Sequence, residues 1–313
     1  MNYRRPGLPV GLVCALLGAS ASAAGWDEGV AAFTAGNYAR AIAEFQQFVD
    51  ERTDEEALVV GYQMLAQSLL RGGRAKESVA AFQRHLELKP GDAGSQLGLG
   101  QAYYTSGEPA QCVATLNNLS IGSLPEPHRN HGYRLLVSAL LVVGPGTEGT
   151  WARTQVYLRA EEVAERLVES VRNHDNLVLL GQARLGAGRY QAAISTLRRA
   201  IKLERNEWLP HYYIGQALTS RGRFKKAESP LGTALELASG SDADLVWKQL
   251  GYVFWSQGKY AEAANAYGNA GDFESVRRVR EGQRIAVEEQ QIAMEEFESR
   301  IRKLGGSPWH PSG

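Results

Sequence analysis

The chain has few cysteines, no excess of charge and few apolar runs, and each of these absences excludes a class of protein. It contains 313 residues with two cysteines, Cys14 and Cys112, and Cys14 lies in a segment that we expect to be removed, so no internal disulfide is expected. Lysine plus arginine equals aspartate plus glutamate at 34 each, which does not provide the basic face that nucleic-acid binding requires. Outside residues 8–17 no segment is apolar enough to cross a membrane, so association with a membrane would be peripheral at most.

Motifs of catalysis and of cofactor binding are also missing. The glycine-rich segment 144–150 lacks the Gly-Lys-Ser/Thr ending of a phosphate-binding loop. His128 and His131 are three residues apart at a predicted helix start, but no third metal ligand accompanies them. Ser307 and His310 lie in a tail rich in proline and glycine, where nothing would hold a catalytic geometry. The sequence therefore predicts a protein that is not an enzyme and that holds no cofactor or metal ion.

What the chain does contain is a glycine that recurs at a nearly constant interval. A separation of 34 residues joins Gly73 to Gly107 and also Gly188 to Gly222, and 36 residues separate Gly222 from Gly258. A period of this length is typical of helical solenoids. Because solenoids present extended surfaces built from neighbouring repeats, the pattern favours a protein that binds other molecules.

Each of these glycines lies between two amphipathic patterns. Apolar or small residues precede it at positions i, i+3, i+4 and i+7, and others follow it at i, i+4 and i+7. Such spacing places each set on one face of a helix, so each unit is predicted to be two helices joined by a tight turn. The first helix carries a glycine at the i+4 position in four units, at Gly100, Gly181, Gly215 and Gly251. Since glycine inside a helix costs about 1 kcal/mol relative to alanine, its recurrence indicates a close approach of the two helix backbones.

The last unit carries the most complete version of the pattern. It reads Trp247-x-x-Leu250-Gly251-x-x-Phe254 and, after its turn, Gly258-x-Tyr260-x-x-Ala263-x-x-x-Tyr267-x-x-Ala270. This pattern closely resembles the tetratricopeptide repeat. The resemblance covers about residues 25–270, is weakest in the first unit, and implies an all-α, right-handed superhelical solenoid of helix-turn-helix units with a long C-terminal capping helix.

The resemblance divides the chain into six segments. We expect a signal peptide in 1–24, three repeats in 25–125, a degenerate fourth unit with an insertion in 126–172, three repeats in 173–270, a C-terminal helix in 271–304 and a flexible tail in 305–313. For 126–172 the alternative is a break between two arrays. Cys112 takes the place of the alanine found in other units, which predicts a small buried hydrophobic residue; the alternative is a reactive or intermolecular thiol.

The first residues resemble a secretory signal peptide. Arg4 and Arg5 precede the apolar run 8–17, which is followed by small residues ending in an Ala-x-Ala sequence. The run is shorter than the roughly 20 residues of a spanning helix, so we expect cleavage after Ala23 or Ala24; an uncleaved anchor is the alternative. This predicts a periplasmic or secreted protein, with a bacterial periplasm favoured.

The resemblance also implies a concave groove lined by the first helix of each unit. The matching open positions hold four glutamines and four aromatic residues, namely Gln67, Gln101, Gln182, Gln216, Tyr104, Tyr212, Tyr252 and Trp255. Glutamine can donate and accept hydrogen bonds, so a row of them can bind an extended peptide backbone, and the aromatic rings add apolar contact area. The alternative is that glutamine is simply a good helix former at a solvated position. Lys248 alone resembles part of the family's basic clamp for a C-terminal carboxylate.

Residues 272–304 predict one long, charge-rich helix. Its apolar positions are Val276, Val279, Ile285, Ile292, Phe297, Ile301 and Leu304. The first part fits a polar-faced cap, and 285–304 could pair with a second copy or a partner helix.

Three functions therefore compete. The first, which we favour, is an exported adaptor that binds a protein or peptide partner through the groove, for instance in a cell-envelope assembly. The second is an oligomeric structural component that assembles through its C-terminal helix. The third is an enzyme or metal protein built on the irregular segment 127–171.

Overall fold

The computed structural model describes residues 25–303, with side chains to residue 296, and its long elements are all α-helices. The predicted signal segment, the tail, and the side chains of Phe297, Ile301 and Leu304 lie outside the described residues. The first seven helices are α1 (Trp26–Thr34), α2 (Tyr38–Asp50), α3 (Glu55–Arg71), α4 (Ala75–Leu88), α5 (Ala93–Thr105), α6 (Pro109–Asn117) and α7 (His128–Gly146). The other eight are α8 (Thr150–Ser170), α9 (His174–Gly186), α10 (Tyr190–Leu203), α11 (Trp208–Ser220), α12 (Phe224–Leu237), α13 (Ser241–Trp255), α14 (Tyr260–Asn269) and α15 (Phe273–Lys303).

These helices form two compact units, one ending at Thr147 and the other beginning at Glu148. The boundary lies in the loop between α7 and α8, within the segment that the repeat pattern describes least well. Both helices expected in that segment are present, and Pro145 stands in the last turn of α7. The first unit therefore comprises α1 to α7 and the second α8 to α15.

The recurring glycine closes the same turn between the two helices of six pairs. Gly73 has a φ of 81°, and the backbone N–H of Arg74 donates to the carbonyl of Leu69 at 2.8 Å. This bond from the residue after a left-handed glycine is the Schellman motif, in which the absence of a Cβ removes the steric cost of positive φ. It recurs after Gly36, Gly107, Gly188, Gly222 and Gly258. A further copy at Gly271, which the sequence pattern did not predict, joins α14 to α15.

The glycines inside the first helices mark where the second helix of each pair packs closest. A Cβ built on Gly181 would lie 2.5 Å from Leu197, and one on Gly215 would lie 2.5 Å from Leu231. Both leucines are fully buried. The packing requirement inferred from the sequence is thus confirmed, but the close approach is between a backbone and a leucine side chain rather than between two backbones.

Small and aromatic residues fill the interior of each unit. In the first unit Trp26 of the short helix α1 packs edge-on against Phe45, with ring centroids 5.4 Å apart. Cys112 is fully buried in α6, and burial raises the pKa of its thiol to about 12. Because the thiolate is the reactive form of cysteine, the raised pKa makes this thiol unreactive at neutral pH. Its burial confirms the prediction of a small buried hydrophobic residue.

A buried ion cluster, which sequence analysis did not predict, holds α8 against α9. Oε1 of Glu161, a side chain only 5% exposed, lies 3.1 Å from both Arg184 and Arg189. Arg184 also contacts Glu165 at 2.7 Å. Arg184 stands at the i+7 position of its helix pattern, where Leu218 and Phe254 stand in later units. That break in the apolar pattern was the available signal for this cluster.

Candidate protein-binding surface

In the first unit the predicted binding residues lie half-buried on α3 and α5. Gln67 is on α3, and Gln101 and Tyr104 are on α5. The side-chain amide of Gln101 donates to the hydroxyl of Thr105 one turn further on, at 3.0 Å. Burial raises the pKa of the Tyr104 phenol, so its hydroxyl remains protonated and available as a donor.

In the second unit two of the predicted residues on α11 contact each other. The side-chain amide of Gln216 donates to the Tyr212 hydroxyl at 2.9 Å, and the Tyr212 ring stands edge-on to Trp208 with centroids 5.6 Å apart. Tyr212 packs against the core formed by α12 and α13, and this burial raises the pKa of its phenol. Tyr212 therefore contributes to packing as well as to the surface, while Gln182 on α9 is half-buried.

The most exposed of the predicted residues are two aromatic side chains on α13. Tyr252 is 43% exposed and Trp255 is 47% exposed, with ring centroids 6.2 Å apart. Phe224, at the start of α12, stands edge-on to Tyr252 at 6.4 Å. We call Phe224, Tyr252 and Trp255 the aromatic patch. Sequence analysis did not predict Phe224 as part of this surface. The available signal was that aromatic residues recur two positions after the turn glycine.

The exposed apolar surface of α13 extends beyond the aromatic patch. Leu245 is 46% exposed and stands two turns before Tyr252 on the same side of the helix. Gly282 of α15 lies beside Trp255, since a Cβ built there would be 3.9 Å from the indole nitrogen. Trp255 adds an indole N–H, which can donate a hydrogen bond, to the apolar area of the patch.

The third hypothesis places an enzyme or metal site on residues 127–171, which contain α7 and α8. Within residues 25–303, no three His, Cys, Asp or Glu side chains are placed to hold a metal ion. His128 is half-buried and His131 exposed at the start of α7. Over the same range no helix is both long and apolar enough to span a bilayer.

Comparison with known families agrees with the helix pairs and their turns. The profile described as "Tetratricopeptide repeat" matches residues 64–111, from α3 to α6, and residues 178–243, from α9 to α13. Both segments match the tetratricopeptide repeat. No match was found among curated proteins.

Solved structures show the same architecture. A tetratricopeptide repeat protein from Parabacteroides merdae aligns with a TM-score of 0.56 and 12% identity over 81% of this chain and 96% of that one. The C-terminal part of a TPR repeat-containing protein from Cytophaga hutchinsonii aligns with a TM-score of 0.53 and 13% identity over 83% and 97% of the two chains. At such identities the likeness shows the fold alone. The predicted all-α solenoid of helix-turn-helix units is confirmed, and this scaffold is typical of protein–protein interaction.

Proposed function

We propose that the protein is an adaptor that binds a protein or peptide partner along the exposed sides of its first helices. The observation that carries the proposal is the aromatic patch with its neighbour Leu245. Tyr252 and Trp255 both stand near half exposure on a well-packed helix. Aromatic side chains held in place bury much apolar area at low entropic cost, and they dominate many protein interfaces.

The glutamines support an extended segment as the bound form. In the second unit Gln182 and Gln216 each directly follow the glycine on which the second helix packs, so they occupy equivalent places on the successive first helices α9 and α11. Gln101 occupies the same place on α5 of the first unit. An amide can pair with both the N–H and the carbonyl of a peptide backbone without requiring a charged partner. Lys248 is exposed on α13, but one cation does not form a carboxylate clamp.

The test is a double variant of the aromatic patch. Tyr252→Ala with Trp255→Ala is expected to lose the partner captured from a native extract, while helicity and the unfolding midpoint stay nearly unchanged because both side chains are exposed. Tyr212 is left intact because it packs against the core. Trp151→Ala is the matched control, since Trp151 is 76% exposed in the same unit but on α8. Equal capture by the double variant and the wild type would remove the aromatic patch as the binding site.

Assembly through α15 is the second candidate, because the last described side chains of this helix are all exposed. Every residue from 287 to 296 is exposed, including Val287, Ile292 and Met294. Ile285 and Ile292 share one side of the helix, while Val287 and Met294 lie on the opposite side. The apolar side chains of residues 285–296 thus lie on two sides of the helix, which differs from the single apolar stripe of a coiled coil.

Solution mass distinguishes the two candidates. Light scattering on the full chain is expected to give the mass of one copy if the protein is an adaptor. A multimer that Val287→Asp with Met294→Asp dissociates would support assembly through α15. If that variant also lost the captured partner while the aromatic-patch variant kept it, α15 would replace the patch as the binding element.

We infer that residues 1–24 direct export, placing the protein in the periplasm or outside the cell, where a cell-envelope assembly is the setting we propose. The arginines, the short apolar run and the Ala-x-Ala ending support this inference. The intact mass of protein from its native host is expected to correspond to a chain that begins at Ala24 or Gly25. Retention of Met1 would exclude the cleaved form.

A further inference from the structure

A cleft distinct from the aromatic patch lies between α14 and α15. It has a volume of about 1000 Å³, and its polar lining comes from amides of α14 and, on α15, from three guanidinium groups and the carboxylate of Glu281. The residues that line it include Asn265, Asn269, Phe273, Arg277, Arg280 and Arg284. The three arginines follow one another at i, i+3 and i+7, so they form one row along α15.

The cleft carries positive charge that the chain does not neutralise. Arg284 pairs with Glu281 and with Glu288, at 2.5 and 2.9 Å. Within residues 25–296, by contrast, no carboxylate forms an ion pair with Arg277 or Arg280, and both side chains are exposed. The carboxylate of Glu281 in the lining is taken up by Arg284, so Arg277 and Arg280 remain to attract an anionic ligand. The planar form of a guanidinium group suits paired hydrogen bonds to a carboxylate.

The position of the cleft in the repeat explains why it is open. In α9 and α11 the packing glycine directly follows a buried apolar residue, as Gly181 follows Leu180, and it is covered by a leucine of the following helix. In α15 the buried Val279 is directly followed by Arg280, which lines the cleft. The cleft is therefore the place where a further second helix would pack. An apolar helix cannot dock there as in the earlier pairs, because it would bury Arg280 without a countercharge.

We propose that this cleft binds an acidic segment of a partner protein. Carboxylates of the segment pair with Arg277 and Arg280, the amides of Asn265 and Asn269 bond to its backbone, and an apolar side chain rests on Phe273, which is 73% exposed. Gly282, which neighbours Trp255, lies on the opposite side of α15 from the arginine row. The cleft and the aromatic patch can therefore be tested independently.

The experiment measures binding of a fluorescently labelled peptide of repeated Glu-Glu-Leu to the full chain by anisotropy, with a Gln-Gln-Leu peptide as its uncharged counterpart. The acidic peptide is expected to bind and the uncharged one not to bind. Arg277→Gln with Arg280→Gln is expected to weaken binding roughly tenfold, and added salt should weaken it further, as for exposed charge pairs. Arg278→Gln is the matched control, because Arg278 pairs with Glu274 at 2.7 Å and does not line the cleft. This control and Tyr252→Ala with Trp255→Ala should both bind as the wild type does.

Several results would overturn the proposal. Equal binding of the acidic and the uncharged peptide would show that charge does not drive recognition. An unchanged affinity in the double arginine variant, or an equal loss in Arg278→Gln, would show that the cleft is not the site. If phosphatidylglycerol vesicles bound in an arginine-dependent way and the acidic peptide did not, the occupant would be an anionic membrane surface and not a protein segment. Loss of acidic-peptide binding in the aromatic-patch variant would mean that both sets of residues form one site.

Discussion

At the scale of single residues, glycine has two separate roles in this chain. At the turns it supplies positive φ, as at Gly73, and nothing lies within 4 Å of the Cβ that it lacks. Inside the first helices it provides space, because at Gly215 that Cβ would overlap Leu231. The repeat spacing predicted both sets, but only the packed structure distinguishes a conformational requirement from a steric one.

The steric role of Gly215 predicts that alanine has opposite effects there and at Gly232, a helical glycine with free space around it in the same helix pair. Gly215→Ala is expected to destabilise its unit by roughly 1–3 kcal/mol, because Leu231 is fully buried and cannot move aside. Gly232→Ala in α12 should instead stabilise by up to about 1 kcal/mol, because nothing lies within 4 Å of the added carbon and alanine favours the helix. Urea denaturation of both variants measures the difference. Destabilisation of equal size in both would contradict the packing explanation.

A buried histidine beside an aspartate makes the first unit sensitive to acid. His85 is fully buried, with Nδ1 2.8 Å from the carbonyl of Val59 and Nε2 3.0 Å from the carboxylate of Asp92. Asp92 also caps α5 by accepting from the backbone of Gly94 and the hydroxyl of Ser95, both at 3.1 Å. The hydrogen bond from His85, assisted by that from Ser95, lowers the pKa of Asp92 from 3.8 to about 2.

The sign of the pH effect follows from this lowered pKa. Since folding depresses the pKa of Asp92, its stabilisation is fully present above the unfolded value of 3.8 and is lost as the pH falls through about 2. Asp92→Asn is expected to cost on the order of 2 kcal/mol at neutral pH and progressively less in acid. Urea midpoints of both proteins across this pH range measure the effect. A difference that stays constant with pH would show that Asp92 acts without its charge.

At the scale of elements, the ion cluster between α8 and α9 shows how burial determines the contribution of an ion pair to stability. Arg184 and Arg189 lie at the same distance from Glu161, but Arg184 is 19% exposed and Arg189 is 58% exposed. The other oxygen of Glu161 has no hydrogen-bond partner, so this carboxylate depends on its two arginines. The two contacts therefore have similar geometry and different solvent screening.

We accordingly expect Arg184→Gln and Arg189→Gln to differ strongly. The first should destabilise α8 and α9 by roughly 1–3 kcal/mol, because it leaves a buried carboxylate under-compensated. The second should cost less than about 1 kcal/mol, as for a surface ion pair. Hydrogen exchange followed by mass spectrometry is the suitable measurement, because each helix of a repeat array can open with its neighbours alone. Equal exchange rates in the two variants would argue against the role of burial.

At the scale of the whole molecule, the chain divides where the repeat pattern fails. The two compact units meet in sequence at the loop between Thr147 and Glu148. Both Glu148 and Gly149 are exposed, and Gly149 has a φ of 81°. The irregular spacing predicted two helices joined by a turn there, and it favoured a degenerate repeat, with a break between two arrays as the alternative.

This division predicts the first site of limited proteolysis. A glutamate-specific protease is expected to cut after Glu148 before it cuts after Glu204, although both are exposed near helix ends, because Glu204 lies between two helices of one unit. Mass spectrometry of early fragments identifies the site, and Glu148→Gln should remove the cut. Earlier cleavage after Glu204 would contradict the division.

The sequence by itself determined the helix pairs, their turns and their packing glycines. These features depend on residues within about one repeat of each other, and an apolar period of 3.6 with a left-handed glycine specifies them locally. That is why the turn at Gly222 and the pairing of α11 with α12 followed from spacing alone.

The tertiary structure alone decided which surface residues come together and how much solvent each one meets. Phe224 reaches Tyr252 from another helix, and Arg184 reaches Glu161 across 23 positions of sequence. The helical pattern of the sequence assigns the row of arginines beside α14 only to the polar face of a cap. Exposure and charge pairing depend on what packs against a side chain from distant parts of the chain, and helical periodicity carries no information about those neighbours.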